Sequence, residues 1–356
     1  MLADCCIMAS LESPRKAEGP NWVQYRGRPE APRLDTPRRA SCAPPRIDTG
    51  RSQLSYSVSV LLARAPRGPL RPFIQRLWLS DSDASSAPGH SCREHVLPTG
   101  SMHVVLRLDD EPVRVWSDSG QELELGTAVI GGIRSSYYVK DARPVRSIGA
   151  QLHAAASLPL LGIPADELAE RHTRLDDVWG AATASLRARL QEARSPEAAL
   201  ACFEAALQAR LPRLRAVHPA IAHALARFDG LADFSLRGRP NPRNSVGYIV
   251  ADTGLSHRRF LTLFQQAVGL APKRYCRVLR FQRAIAGVAA GEPLGAVAID
   301  AGYSDQAHLT REFQALAGVS PGAYRHISPE RDHHVPVDAG SDFFKTARRS
   351  RPRLGS

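Results

Sequence analysis

The chain has 356 residues, 43% of them hydrophobic, and a net charge of +12, which is room for two packed domains plus tails. No apolar run approaches the about 20 residues a helical membrane span needs, and the N-terminus lacks the apolar core of a secretory signal, so neither a membrane helix nor a secretory signal is expected and a cytoplasmic location is. The cysteines at 5, 6, 42, 92, 202 and 276 form no C-x-x-C pair, which excludes the usual zinc spacings and fits reduced thiols.

Residues 1–69 are rich in Pro, Arg and Ser and show no sustained periodicity. They are expected to be a disordered basic tail able to assist DNA binding non-specifically. From about Leu70 the character changes. Phe73, Ile74, Leu77, Trp78 and Leu79 form an apolar patch, and a Ser-rich gap, Asp81 to Ser91, follows. HVLPTGSMHVVLRLDD then alternates Met102, Val104, Leu106 and Leu108, and EPVRVW, QELELG, TAVIGG, SSYYVKD and VRSIGAQL continue the cadence. Short strands at this spacing predict a small antiparallel barrel or sandwich. Leu158 to Pro164 reads as a turn-rich passage. Leu175 to Ala193 and Ser195 to Leu211 read as amphipathic helices, the latter opened by Ser195-Pro196-Glu197 as cap, first-turn proline and first-turn acid. These helices cover the sheets or form a dimer interface; both readings stand.

His90, Cys92, His95 and His103 lie within 14 positions, and a metal site built on them is the competing reading. No carboxylate completes a regular ligand pattern, and no metal or cofactor is expected. G-x-x-x-x-G-K-[ST] does not occur and no catalytic triad is visible, so no catalytic residue is expected either.

A helix from about Pro219 to Phe228 is expected next, then a basic loop, SLRGRPNPRN, at 235–244. Between Ser245 and Arg325 one pattern is written twice. At an offset of 49, Phe264 falls on Phe313, Gly269 on Gly318, Pro272 on Pro321 and Tyr275 on Tyr324; upstream the offset is 48, Asp252 falling on Asp300 and Gly254 on Gly302. The one-residue difference sits in the turn, where an insertion is cheapest, and such a repeat marks a duplicated supersecondary unit. Each copy reads as two short helices around a tight turn. Ser256 caps the second helix of the first copy, and Ser304 or Asp305 that of the second. Phe260, Leu263 and Phe264 face inward in the first, Leu309 and Phe313 in the second. This is helix-turn-helix layout, in which the second helix of each pair enters the major groove.

The polar positions are His257, Arg258, Arg259 and Thr262 in the first copy, and Gln306, His308, Thr310 and Arg311 in the second. Gln and Arg can make paired hydrogen bonds to base edges, while Arg, Thr and His can hold phosphates. Pro272 opens a connector running to about Ala290, a helix about 28 Å long at 1.5 Å per residue. Lys273, Arg274 and Arg277 on it are phosphate-contact candidates, with Arg280 and Arg283 behind them. Charge supports a division of labour. Residues 71–215 carry net −1 and residues 216–326 net +6.

The stretch GLSHRRFLTLFQQAVGLAPKRY…RFQRAI…GYSDQAHLTREFQALAGVSPGAYR resembles the DNA-binding domain of AraC-type (AraC/XylS) transcriptional regulators over about 110 residues, Ala216 to His326. The segment before it resembles, diffusely, the cupin-like sensor half that accompanies such domains. Carried over by position, the resemblance implies DNA contacts by His257, Arg258, Leu261 and Thr262, and by Gln306, Ala307, Thr310 and Arg311. Thr262 departs from the basic residue frequent in the family, which implies a contact that is weaker here or moved to Arg258 or Arg259. The expected architecture is multi-domain α+β: a tail over 1–69, a small antiparallel β barrel or sandwich with covering helices over 70–212, an all-α domain of two helix-turn-helix units joined by a long helix over 216–326, and a disordered tail over 327–356. The implied function is a sequence-specific regulator that binds double-stranded DNA. RNA polymerase, a small-molecule effector and a homodimer partner are compatible with it. The alternatives are a metal-dependent cupin-like enzyme with a DNA-binding appendage, and a scaffold without sequence preference.

Overall fold

The computed structural model describes residues 59–81, 93–117, 119–143, 145–211, 217–230, 246–329, 331 and 333–337. The tail up to residue 58, His90, Cys92 and the basic loop at 235–244 lie outside the described residues.

Two antiparallel sheets form the N-terminal half. The first contains β1 (Ser59–Arg64), β2 (Ile74–Asp81), β9 (Ser147–Leu152), β4 (Met102–Arg107), β7 (Ala128–Gly131) and β10 (His172–Arg174), in that spatial order. The second runs β11 (His334–Val337), β3 (Arg93–Val96), β8 (Tyr138–Asp141), β5 (Arg114–Trp116) and β6 (Glu122–Glu124). The alternation of Met102, Val104 and Leu106 becomes one buried face of β4, as a period of two requires. Trp78 on β2 lies opposite Gly149 on β9, and a Cβ at Gly149 would fall 2.4 Å from the indole. Only glycine leaves that ring its place.

Helices cover the first sheet: α1 (Ser157–Leu161), α2 (Ala165–Leu168), α3 (Asp176–Trp179), α4 (Ala181–Gln191) and α5 (Pro196–Gln208). The expected helix from Leu175 to Ala193 is thus two, because Gly180 takes φ +57 between them, a conformation only glycine adopts freely. The Ser195 side chain accepts the Ala198 N–H, closing the expected cap. Leu200, Phe203 and Leu207 bury one face of α5.

Among the described residues the C-terminal region up to Ile327 contains helices and no strand: α6 (Pro219–Gly230), α7 (Val246–Asp252), α8 (His257–Val268), α9 (Pro272–Ala289), α10 (Leu294–Asp300), α11 (Gln306–Ala317) and α12 (Pro321–Ile327). The long α9 serves two cores. Tyr275 and Val278 join Phe228, Phe260 and Phe264 in a core continuous with that of the first sheet. Phe281, Ala284, Ile285 and Val288 join Leu309, Phe313 and Tyr324 in a second, which Leu97 and Val335 close from outside.

Two expected boundaries are corrected. The sheet begins at Ser59, not near Leu70, because the apolar Leu61 and Leu62 extend into a strand paired with β2. The segment beyond Ile327 is not all tail. His334–Val337 pairs antiparallel with β3, and Val335 is fully buried. Glu94 explains this attachment: it takes Lys140 at 2.7 Å, His334 at 2.7 Å and Arg331 at 3.3 Å. Burial alone would raise the Glu94 carboxyl, but the Lys140 and Arg331 cations, together with the hydrogen bond from the His334 ring, outweigh it and hold the group well below the usual range.

Candidate nucleic-acid interface

The two helix pairs α7–α8 and α10–α11 repeat down to their dihedrals. Gly254 and Gly302 turn each pair at φ +68 and +80, and Gly269 and Gly318 end the second helix of each at φ +92 and +74. The capping oxygens sit 49 residues apart. Ser256 Oγ accepts the Arg259 N–H at 3.4 Å, and Asp305 Oδ1 accepts the His308 N–H at 2.7 Å. Of the two expected candidates in the second copy, Asp305 is the cap. That N–H and the Ser304 hydroxyl hold the Asp305 carboxyl below its ordinary value, so the first turn of α11 carries a fixed negative charge, as a helix N-terminus favours.

His257, Arg258, Arg259 and Thr262 are exposed on α8, and Leu261 is half-buried. On α11, Gln306, Ala307 and Arg311 are exposed, and His308 and Thr310 are half-buried. Arg258, Arg259 and Arg311 make no salt bridge among the described residues. The threonines are committed locally. Thr262 Oγ1 donates to the Arg258 carbonyl at 3.2 Å and Thr310 Oγ1 to the Gln306 carbonyl at 2.9 Å, so only their acceptor lone pairs and methyls remain. His308 is a strut. Its Nδ1 is 3.0 Å from Ser304 Oγ, and its ring lies edge-on to Tyr303. Exposed Gln265 and Gln266 extend the polar face of α8; sequence reasoning passed over them, although their place beside Phe264 put them outside.

The connector candidates divide. Lys273 and Arg274 are exposed in the first turn of α9, Arg274 lying 3.9 Å from Glu170. Arg277 is already engaged, its Nε and Nη2 donating to the two carboxylate oxygens of Glu312 on α11 at 2.5 and 3.2 Å. Burial alone would raise Glu312; the guanidinium outweighs it, and the carboxyl lies low. Arg277 therefore clamps α11 to α9. Arg280 lies over the Tyr303 ring at 5.5 Å.

Helices α8 and α11 both rest their C-terminal ends on the β half. At Gly269 a Cβ would come 2.7 Å from Ile133 and 2.8 Å from the Ala165 carbonyl. At Gly318 it would come 2.6 Å from His95 and 2.8 Å from Tyr137. His95 Nδ1–H donates to the Ala317 carbonyl at 3.0 Å, and the Tyr137 N–H to the Leu316 carbonyl at 3.1 Å, satisfying carbonyls a helix end leaves open. Ile133 and Tyr137 belong to one loop between β7 and β8. Glu170, itself at φ +61, holds that loop by accepting the Ser135 hydroxyl at 2.6 Å and the Ser135 N–H at 3.2 Å. Midway, Gly100 faces Tyr275, Val278 and Leu279 of α9, and the Gln282 amide donates to the Pro98 carbonyl at 2.5 Å. The N-terminal turns of α8 and α11 are the ends left outward.

Residues 249–327 match a sequence family described as a helix-turn-helix domain. The C-terminal region is an AraC-type helix-turn-helix domain. In outline the chain is a DNA-binding transcription regulator. Residues 63–174 match a second family, described as a domain of unknown function. No curated protein matches the chain. Among solved structures, ToxT from Vibrio cholerae is similar, with 10% identity and a TM-score of 0.39, covering 75% of this chain and 100% of that one. A ToxT structure with bound unsaturated fatty acid shows 10% identity and a TM-score of 0.34, covering 67% of this chain and 96% of that one. The C-terminal domain of AraT, a response regulator from Geobacillus stearothermophilus, shows 19% identity and a TM-score of 0.27, covering 34% of this chain and 97% of that one. These are likenesses of shape alone.

Of the possible metal ligands, His95 is spent on Ala317, and His103 Nε2 lies 3.1 Å from Thr99 Oγ1. Among the described residues no three His, Cys, Asp or Glu side chains converge. No helix there is long and apolar enough to cross a membrane.

Proposed function

We propose that the chain is a sequence-specific transcriptional regulator that lays α8 and α11 in two successive major-groove segments of one duplex, in the cytoplasm and in the service of RNA polymerase. The observation that carries this is the matched pair of capped helices, exposed at their N-terminal turns and joined by α9. That rod of 18 residues is about 27 Å long at 1.5 Å per residue, close to the about 34 Å between grooves on one face. Arg258 and Arg311 choose bases, with Gln306, Arg259 and His257 beside them, and Thr262 and Thr310 contribute acceptors and methyls. Lys273 and Arg274 set register on phosphates. The β half, seated against both heads, is the sensor through which an effector shifts their presentation, to the extent that it binds two states with different affinity.

The test is selection of bound sequences from random duplexes by the full chain. The full chain is required because the core of the first head runs on into the β half. The expected outcome is two half-motifs about 10 base pairs apart. Arg258→Ala should blur one half-motif and Arg311→Ala the other. Recovery of no consensus, or of one half-motif only, refutes two-headed reading.

A further inference from the structure

A cleft of about 540 Å³ opens on the helical layer that covers the first sheet, between α1, α3, α4 and α5. Leu160, Val178 and Leu186 form its apolar walls, and Arg189 and Arg210 stand at its polar side. Among the described residues no acidic side chain lines it. The Arg210 guanidinium lies over the Trp179 ring at 4.0 Å, which fixes a cation beside apolar surface. The Trp179 indole N–H is buried without an acceptor among the described residues. The volume falls in the range that holds a small ligand. Two cations and an apolar body select the occupant by charge and polarity together.

We propose that this cleft binds a small organic monoanion with an apolar body, and that its occupancy is passed to the first reading head. This deepens the effector-responsive reading above and rests on it. The route is short. Helix α1 lines the cleft with Leu158 to Leu161 and packs against α8. Ser157 Oγ donates to the Ile163 carbonyl at 2.7 Å, tying α1 to the turn before α2. Ala165, opening α2, supports the end of α8 at Gly269. A ligand that presses on α1 therefore presses on the seat of α8, while α11 rests elsewhere, on His95 and Tyr137.

The experiment is titration of the full chain with 1-anilinonaphthalene-8-sulfonate, an apolar anion whose emission rises on burial. Saturable binding at one site is expected. Displacement should follow with 4-phenylbutyrate but not with 4-phenylbutanol, which has the same body without the charge. Arg189→Met and Arg210→Met should each weaken binding about tenfold, as loss of a charge-assisted contact does. Ala182→Phe, at an exposed position on the rim, should abolish it by filling the space. Saturating 4-phenylbutyrate should also change amide exchange over residues 264–270. The site is overturned if both arginine variants bind as the parent does, if the alcohol displaces as well as the acid, or if ultracentrifugation shows a dimer that hides the cleft. Binding with unchanged exchange at 264–270 overturns the coupling. The titration contains no DNA, so it succeeds or fails independently of two-headed reading.

Discussion

Gly318→Ala measures how tightly the second head is seated, and Gly254→Ala is its internal control. Both glycines have left-handed backbone, φ +74 and +68. Forcing a side chain there costs about 1–2 kcal/mol in either place. At Gly254 nothing lies within 4 Å of the new Cβ, so that is the whole cost. At Gly318 the Cβ falls 2.6 Å from the His95 ring and 2.8 Å from Tyr137. His95 is buried, stacked on Tyr137 at 4.2 Å and hydrogen-bonded to Ala317. Its ring cannot swing away without losing those contacts. Overpacking of this kind adds about 1–3 kcal/mol. Urea unfolding followed by tryptophan fluorescence should therefore place Gly318→Ala about 1–3 kcal/mol below Gly254→Ala. Amide exchange over 134–138 should show whether the strain is relieved by unseating α11. Equal losses in the two variants, with no change in exchange at that loop, would refute the tight seat.

Three further outcomes follow from the same geometry. Glu312→Gln removes the bidentate partner of Arg277 and should cost about 1 kcal/mol of stability, a modest value because both side chains are partly exposed; in a selection experiment it should relax the α11 half-motif more than the α8 half-motif. Burial holds His103 and His172 down to about 3 and His334 down to about 4. The unfolded chain therefore binds protons on these residues first, and the urea midpoint should fall as pH drops from about 7 toward 4. Loss of the Glu94 ion pairs adds to the fall at the acid end, since a depressed carboxylate stabilises only while ionised; a midpoint flat across that window would contradict the neutral buried state of these imidazoles. Val335→Ala, which trims a fully buried side chain of β11, should cost about 1–2 kcal/mol and speed proteolysis beyond Ile327; cleavage at the parent rate would mean the strand contributes nothing.

The repeat is legible in the sequence because its signals are local. The change of offset from 48 to 49 needs only Gly254, Gly302 and the caps at Ser256 and Asp305, and each acts within a few residues of itself. The strands from Met102 to Leu152 are legible because alternation reports a half-buried face. What escapes is whatever depends on a distant partner. The β10 segment is three residues, His-Thr-Arg, and β11 contains Pro336, a residue that edge strands tolerate and that argues against a strand when read alone. Arg277 looks like any exposed connector arginine until α11 brings Glu312 to it. Nothing in the loop from Ile133 to Tyr137 announces that two helices of another domain end there.

The exit strand changes how this regulator can switch. A DNA-binding module on a slack leash could pivot freely between orientations. Here the module's own downstream chain is zipped into a sheet of the β half, so any large swing must first unpair four residues opposite β3 and draw Val335 into water. Signals small enough to spare that zipper are confined to shifts within the seated arrangement, fast and graded. Larger ones must peel it open, which makes them slow and all-or-none.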